Sequence, residues 1–210
     1  MPPPVPQERL DELLQHPSLW RGRGAVSAPG LATGFAALDA LLPGSGWPRQ
    51  GLVEILTSGG GHGELSLWAP LLCRLTQAGD ARWCAFIAPP FEPFAPAWQA
   101  RGVRLDRLLM VRTPEPLWAL EQSLLSGACA LAFAWPAGTR SRVRMTELRR
   151  LALAAERGAA LGVLIRPLQA AAQPTVAALR LAVTRRATCL RVELLKGRGV
   201  VPAVVELPLP

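Results

Sequence analysis

From Leu31 onward, short apolar runs alternate with stretches of helical periodicity, and this alternation limits the fold more than any other feature of the chain. The runs are GLVEIL (51–56), ARWCAFIAP (81–89), RLLMVR (107–112), CALAFAW (129–135) and ALGVLIRP (160–167). Each is about a strand in length, nearly continuous in apolar residues, and several are stopped by proline. Between them, 31–42 reads as a turn and short helix, Leu65–Ala78 as a leucine-rich helix and 92–102 as a proline-interrupted helix. Pro116–Ser126 and Arg142–Arg157 read as two further helices. Strands without a polar face have to be covered on both sides, so this order predicts an α/β fold with a mostly parallel sheet between helix layers. After Gln173 the pattern changes to polar–apolar alternation in ALRLAVTRR (178–186) and CLRVELLKGR (189–198), which predicts an antiparallel hairpin at the edge of the sheet.

Residues 1–30 differ in character from the rest of the chain. A proline-rich start precedes a short amphipathic segment with Leu10, Leu13 and Leu14 at helical spacing, then a glycine- and proline-broken linker. The expected organisation is an arm over 1–30 and one core domain over 31–210. The N-terminus lacks a charged start followed by an apolar stretch, and no apolar run reaches bilayer length. A cytoplasmic protein without membrane contact is expected.

The stretch GLVEILTSGGGHGELSLW (51–68) has the order of a phosphate-binding loop: buried strand, glycine cluster (Gly59, Gly60, Gly61, Gly63), then a segment able to open a helix. A working loop needs G-x-x-x-x-G-K-S/T, whose lysine reaches the phosphates and whose hydroxyl holds magnesium. Here Glu64 and Leu65 stand in those two places. A carboxylate facing a phosphate at about 4 Å costs about 4 kcal/mol at an effective dielectric of about 20. An acid is also missing where neighbouring strands end: Trp135 closes one, Pro89 and Pro90 another. No catalytic residue, cofactor or metal is therefore expected. The expected role of Glu64 is a favourable interaction with the dipole of a following helix. His62 reads as a loop-tip residue, and His62–Glu64 lacks the cysteine motif of zinc deaminases.

The four cysteines match no zinc spacing and read as reduced thiols, with Cys84 and Cys129 buried in strands. The basic residues are 22 Arg and the single Lys196, against 15 acids, for a net charge of +8. Such a balance favours acidic partners. Arg140, Arg142, Arg144, Arg149 and Arg150 load one loop and helix and form a possible DNA-binding face, with Arg157 at its end. Arg180, Arg185, Arg186, Arg191 and Lys196 load the last hairpin and, with Leu10, Leu13 and Leu14, are the candidate partner-binding residues. Trp20, Trp47, Trp98, Trp118 and Trp135 offer rings for stacking, most of them expected to be packed.

The stretch LATGFAALDALLPGSGWPRQGLVEIL (31–56) resembles the entry into the RecA ATPase core, and the colinear likeness extends over about 31–200. It fails at the catalytic positions, including the strand end where RecA proteins carry a switch glutamine and this chain has Arg166 and Pro167. A RecA-like core with GHGEL in place of the phosphate loop, and APP and RP ending its strands, resembles the ImuA family. It is similar, more distantly, to the division inhibitor SulA. The ImuA resemblance implies a non-catalytic accessory role in SOS-induced, error-prone translesion synthesis. The implied partners are ImuB, and further RecA and the DnaE2 polymerase complex, with weak DNA contact, possible self-association and a nucleoid-associated location. The alternative implied by SulA is inhibition of a filament-forming protein such as FtsZ.

Overall fold

The computed structural model describes residues 29–61, 63–79, 82–136, 142–199 and 201–208. One eight-stranded sheet organises them. In chain order the strands are β1 (Gly51–Thr57), β2 (Trp83–Ile87), β3 (Leu108–Val111), β4 (Cys129–Ala134), β5 (Leu161–Pro167), β6 (Leu179–Arg185), β7 (Cys189–Gly197) and β8 (Ala203–Pro208). Their order across the sheet is β3-β2-β4-β5-β1-β6-β7-β8. Every pairing from β3 to β6 is parallel, and β6–β7 and β7–β8 are antiparallel. All seven residues of β1 are buried, as its nearly unbroken apolar run requires at the middle of a two-sided sheet.

The helices are α1 (Ala36–Asp39), α2 (Ala69–Gln77), α3 (Ala95–Ala100), α4 (Pro116–Leu125) and α5 (Met145–Arg157). Side chains alternate across each strand and so feed two cores. Val53, Ile55, Phe86 and Phe133 face Leu71 and Leu72 of α2. Leu52, Ile87, Ala132, Ala134 and Leu164 face Leu120 and Leu124 of α4 and Leu148 and Leu151 of α5. The first core is built on aromatic rings. Trp47 stacks on Trp68 at 4.0 Å, Trp68 meets Phe133 edge-on at 5.3 Å, and Phe133 stacks on Phe86 at 5.0 Å. The second core is lined by small strand residues, which let α4 and α5 approach closely. Cys84 is buried in the first core and Cys129 in the second as small hydrophobes, and burial pushes the Cys129 thiol above its ordinary pKa.

The antiparallel C-terminal hairpin is found as β6–β7 towards one end of the sheet, joined in parallel to β1 through β6 and extended by β8 outside β7. The final segment, to which the sequence assigns no element, alternates in burial and forms the outermost strand at that end. One expectation needs correction: the segment after the glycine cluster is not an α-helix at its start. Glu64–Trp68 is a 3-10 turn, and α2 begins only at Ala69, followed by Pro70. No helix among the described residues is long and apolar enough to cross a membrane.

Candidate functional site: a glycine loop closed by Glu64 and the cleft beside it

The C-terminal ends of β1, β2, β4 and β5 lie together, the place where open α/β sheets bind ligands. The glycine loop leaves β1 there. Thr57 closes its start, its Oγ1 donating to the Gly59 carbonyl at 2.7 Å. Gly61 and Gly63 both have positive φ, +77° and +85°, which a residue with a Cβ adopts only under strain. The Gly61 N–H donates to Glu64 Oε1 at 3.2 Å. Glu64 is buried at 3% exposure. An amide that a phosphate loop would aim at its ligand is thus taken by a carboxylate of the same chain. The expected role of Glu64 at a helix dipole is corrected by this contact, since a 3-10 turn follows it. A Cβ at Gly60 would lie 2.8 Å from the Pro90 ring, so the loop rests directly on the end of the neighbouring strand.

The positions that resemblance to RecA marks as catalytic are occupied by packing. Trp135 is 5% exposed, its ring grouped with Phe86 and Phe133. Its backbone N–H donates to the Ile87 carbonyl at 3.2 Å. Arg166 enters a buried ion triad with Glu54 of β1 and Arg180 of β6. Arg166 Nη1 lies 2.5 Å from Glu54 Oε1, and Arg180 Nε lies 2.7 Å from Glu54 Oε2. Arg166 also donates to Gln173 Oε1, and Arg180 to the Gln173 carbonyl at 2.8 Å. All three charges are nine-tenths buried or more, so each needs its partner. The sequence reading passed over Glu54, although a lone acid within an otherwise apolar strand is the signal for a buried partner.

Beside the glycine loop lies a cleft of about 340 Å³. Its walls are Phe91, Phe94, Trp98 and Trp135, and Arg101 and Arg185 stand at its rim. Phe91 and Phe94 are 67% and 71% exposed. They too were missed, although PPFEPFAP places two aromatic residues among prolines that cannot enter a strand or helix interior.

The candidate partner-binding residues separate in space. Arg180 is buried in the ion triad and belongs to no surface, which corrects its assignment as a contact residue. Arg185 and Arg186 are exposed at the β6–β7 turn, and Arg191 is half-buried on β7 opposite Glu206. Lys196 is exposed and donates to the Thr175 carbonyl at 2.8 Å. Burial, then repulsion from Arg180, lowers its pKa below 10.5, against an opposing pull from Glu54. Arg142, Arg144, Arg149 and Arg150 are exposed beside or on α5, with Arg150 paired to Glu121 of α4. Arg157 is exposed at the end of α5. Leu10, Leu13, Leu14, Trp20, His62 and Arg140 lie outside the described residues. Of the remaining tryptophans, Trp47 and Trp98 are buried and Trp118 is exposed. Among the described residues no group of side chains could hold a metal ion.

No curated protein matches the chain. A crystal structure of SulA from Pseudomonas aeruginosa aligns with a TM-score of 0.42 at 26% identity, covering 55% of this chain and 97% of that one. The family model of the MT3502 N-terminal domain matches residues 40–170, from the end of α1 through β5, and therefore takes in the glycine loop, the cleft apart from Arg185, and the Glu54–Arg166 pair. With more than half of its length matched, the chain belongs to the MT3502 N-terminal domain family.

Proposed function

We propose that this protein is a non-catalytic accessory protein of SOS-induced translesion DNA synthesis that works by holding partners, with ImuB as the principal one. The observation that carries the non-catalytic reading is the buried Glu64 carboxylate on the Gly61 amide. A triphosphate entering the loop would have to displace that carboxylate and would meet its charge at close range. Leu65 offers magnesium no oxygen, and Trp135 and Pro90 offer no acid at the strand ends. The choice of pathway and partner rests on the resemblance to ImuA, and the exposed arginines favour an acidic partner face. RecA and the DnaE2 polymerase complex are further partners in this reading, and DNA contact is secondary.

Titration calorimetry with ATP and magnesium tests the first half. No heat of binding at micromolar ligand is expected, and saturable micromolar binding would overturn the reading. A pull-down against ImuB, RecA and FtsZ tests the second half. Retention of ImuB with loss on Arg185→Glu/Arg186→Glu is the expected result. Retention of FtsZ alone would place the protein with division inhibitors instead.

A further inference from the structure

We propose that the cleft beside the glycine loop is a docking site for an acidic peptide segment of a partner protein, whose apolar side chain enters between Phe91 and Phe94. The inference rests on the accessory reading above and gives it a site.

The loop that carries the two phenylalanines is built to keep them outside. Pro89, Pro90 and Pro93 fix their own φ and supply no N–H, so the segment before α3 forms neither helix nor strand, and Pro96 sits in the first turn of α3, where a proline is tolerated. It is tied at its start and at its middle. The Ala88 N–H donates to the Val111 carbonyl at 2.8 Å, and Glu92 is ion-paired with Arg112. Ala88 has a positive φ of +50°, a backbone strain retained at the start of this loop. Two large rings held at 67% and 71% exposure on this loop form an apolar anchor that the described residues leave uncovered.

The shape of the surface favours a chain segment over a compact ligand. A second cleft, of about 280 Å³, lies on the other side of the same loop, lined by Pro93, Trp98, Leu105, Leu108 and Met110. The apolar surface therefore runs past the loop toward the free edge of the sheet at β3, where Leu109 and Met110 are each 42% exposed.

Charge selects the sign of the partner. Arg101 and Arg185 are exposed at the rim of the first cleft. Of the carboxylates among its lining residues, Glu92 is ion-paired with Arg112, while Glu64 is buried at the foot of the cleft, one oxygen accepting from Gly61 and the other with no hydrogen-bond partner among the described residues, so the exposed charge at the rim is that of the arginines. An acidic segment would pair with the rim arginines while its apolar residue fills the cleft, the usual division between the centre and the margin of an interface. A phosphate group fits less well, because the loop amide nearest to it is held by Glu64.

The test uses a phage-displayed library of random dodecapeptides, selected on the full chain and counter-selected on Phe91→Ser/Phe94→Ser. All the substituted positions are exposed, and thermal melting checks that each variant folds as the wild type does. Selected peptides are expected to combine Phe, Leu or Trp with Asp and Glu. By fluorescence polarisation, a labelled selected peptide should bind the Ser variant about tenfold more weakly or worse, and Arg101→Glu/Arg185→Glu likewise. The proposal is overturned if no peptide depends on Phe91 and Phe94, if the dependent peptides are basic, or if reversing the arginines changes nothing. A parallel titration with ATP and magnesium separates the two readings. Peptide failure with silent ATP removes only the docking site, whereas saturable ATP binding removes the non-catalytic reading whether or not a peptide binds.

Discussion

Glu54 holds two guanidinium groups, those of Arg166 and Arg180, with almost no access to water. Removing the carboxylate leaves two like charges facing each other in a desolvated space. Glu54→Ala should therefore lower unfolding free energy by about 3–5 kcal/mol in a urea titration. Replacing all three at once, Glu54→Leu with Arg166→Met and Arg180→Met, should cost far less, because no charge is then left behind. A triple variant as unstable as the single one would show that the triad contributes through shape and not charge. Lys196, next to this group, titrates below its ordinary value of 10.5. Between that lowered pKa and 10.5 the unfolded chain binds the proton and the folded chain does not. Stability contributed by this group should therefore rise with pH across the window, and be absent below it. An NMR titration of the single lysine would locate the midpoint, and a midpoint at or above 10.5 would contradict the burial and the Arg180 repulsion.

At the level of elements, close approach is the controlling quantity. Gly158 ends α5, and a Cβ there would sit 1.7 Å from the Leu124 carbonyl oxygen of α4. The backbones of the two helix ends touch, and no side-chain rotation relieves the clash. Gly158→Ala should cost about 1–3 kcal/mol, although alanine is the better helix former, because the helices have to separate. A chemical melt equal to wild type would mean that the α4–α5 contact can slip freely. The glycine loop depends on close approach as well. Its glycines let β1, Pro90 and the 3-10 turn meet closely, and Glu64 closes it from within. Glu64→Lys should accordingly not create ATP hydrolysis above a buffer blank, since the strand ends would still lack acids.

At the scale of the whole molecule, the net charge is +8, and among the described residues the exposed arginines lie on more than one element. Arg142, Arg144 and Arg149 lie by α5, while Arg185 and Arg186 lie at the β6–β7 turn. A protein interface with an apolar centre should lose little affinity between about 50 and 200 mM salt, whereas five or six phosphate contacts should lose on the order of a thousandfold. ImuB binding measured across that range is expected to follow the first course, and DNA binding, where detectable, the second. A steep loss for ImuB would make electrostatic contact, and not apolar anchoring, the basis of the complex.

The apolar runs and their proline stops sufficed to give the α/β class, the mostly parallel sheet and the positions of β1 to β5, because burial on both faces demands that composition locally, and the alternation after Gln173 gave β6 and β7. The loss of the lysine, the hydroxyl and the strand-end acids was equally legible, since each is a matter of residue type at one position. Pairings between distant positions were not. Glu54 and Arg180 are 126 residues apart, and only the β1–β6 register makes them neighbours. The same pairing took Arg180 off the surface, and β8 added one further strand outside the hairpin. The burial of Glu64 and the clefts around Phe91 and Phe94 also depend on how β1, β2 and β4 end side by side. Local sequence specifies which residues can form a strand or a turn, but the charges and rings that end up facing one another are chosen by non-local contacts, which leave no periodic trace in the chain.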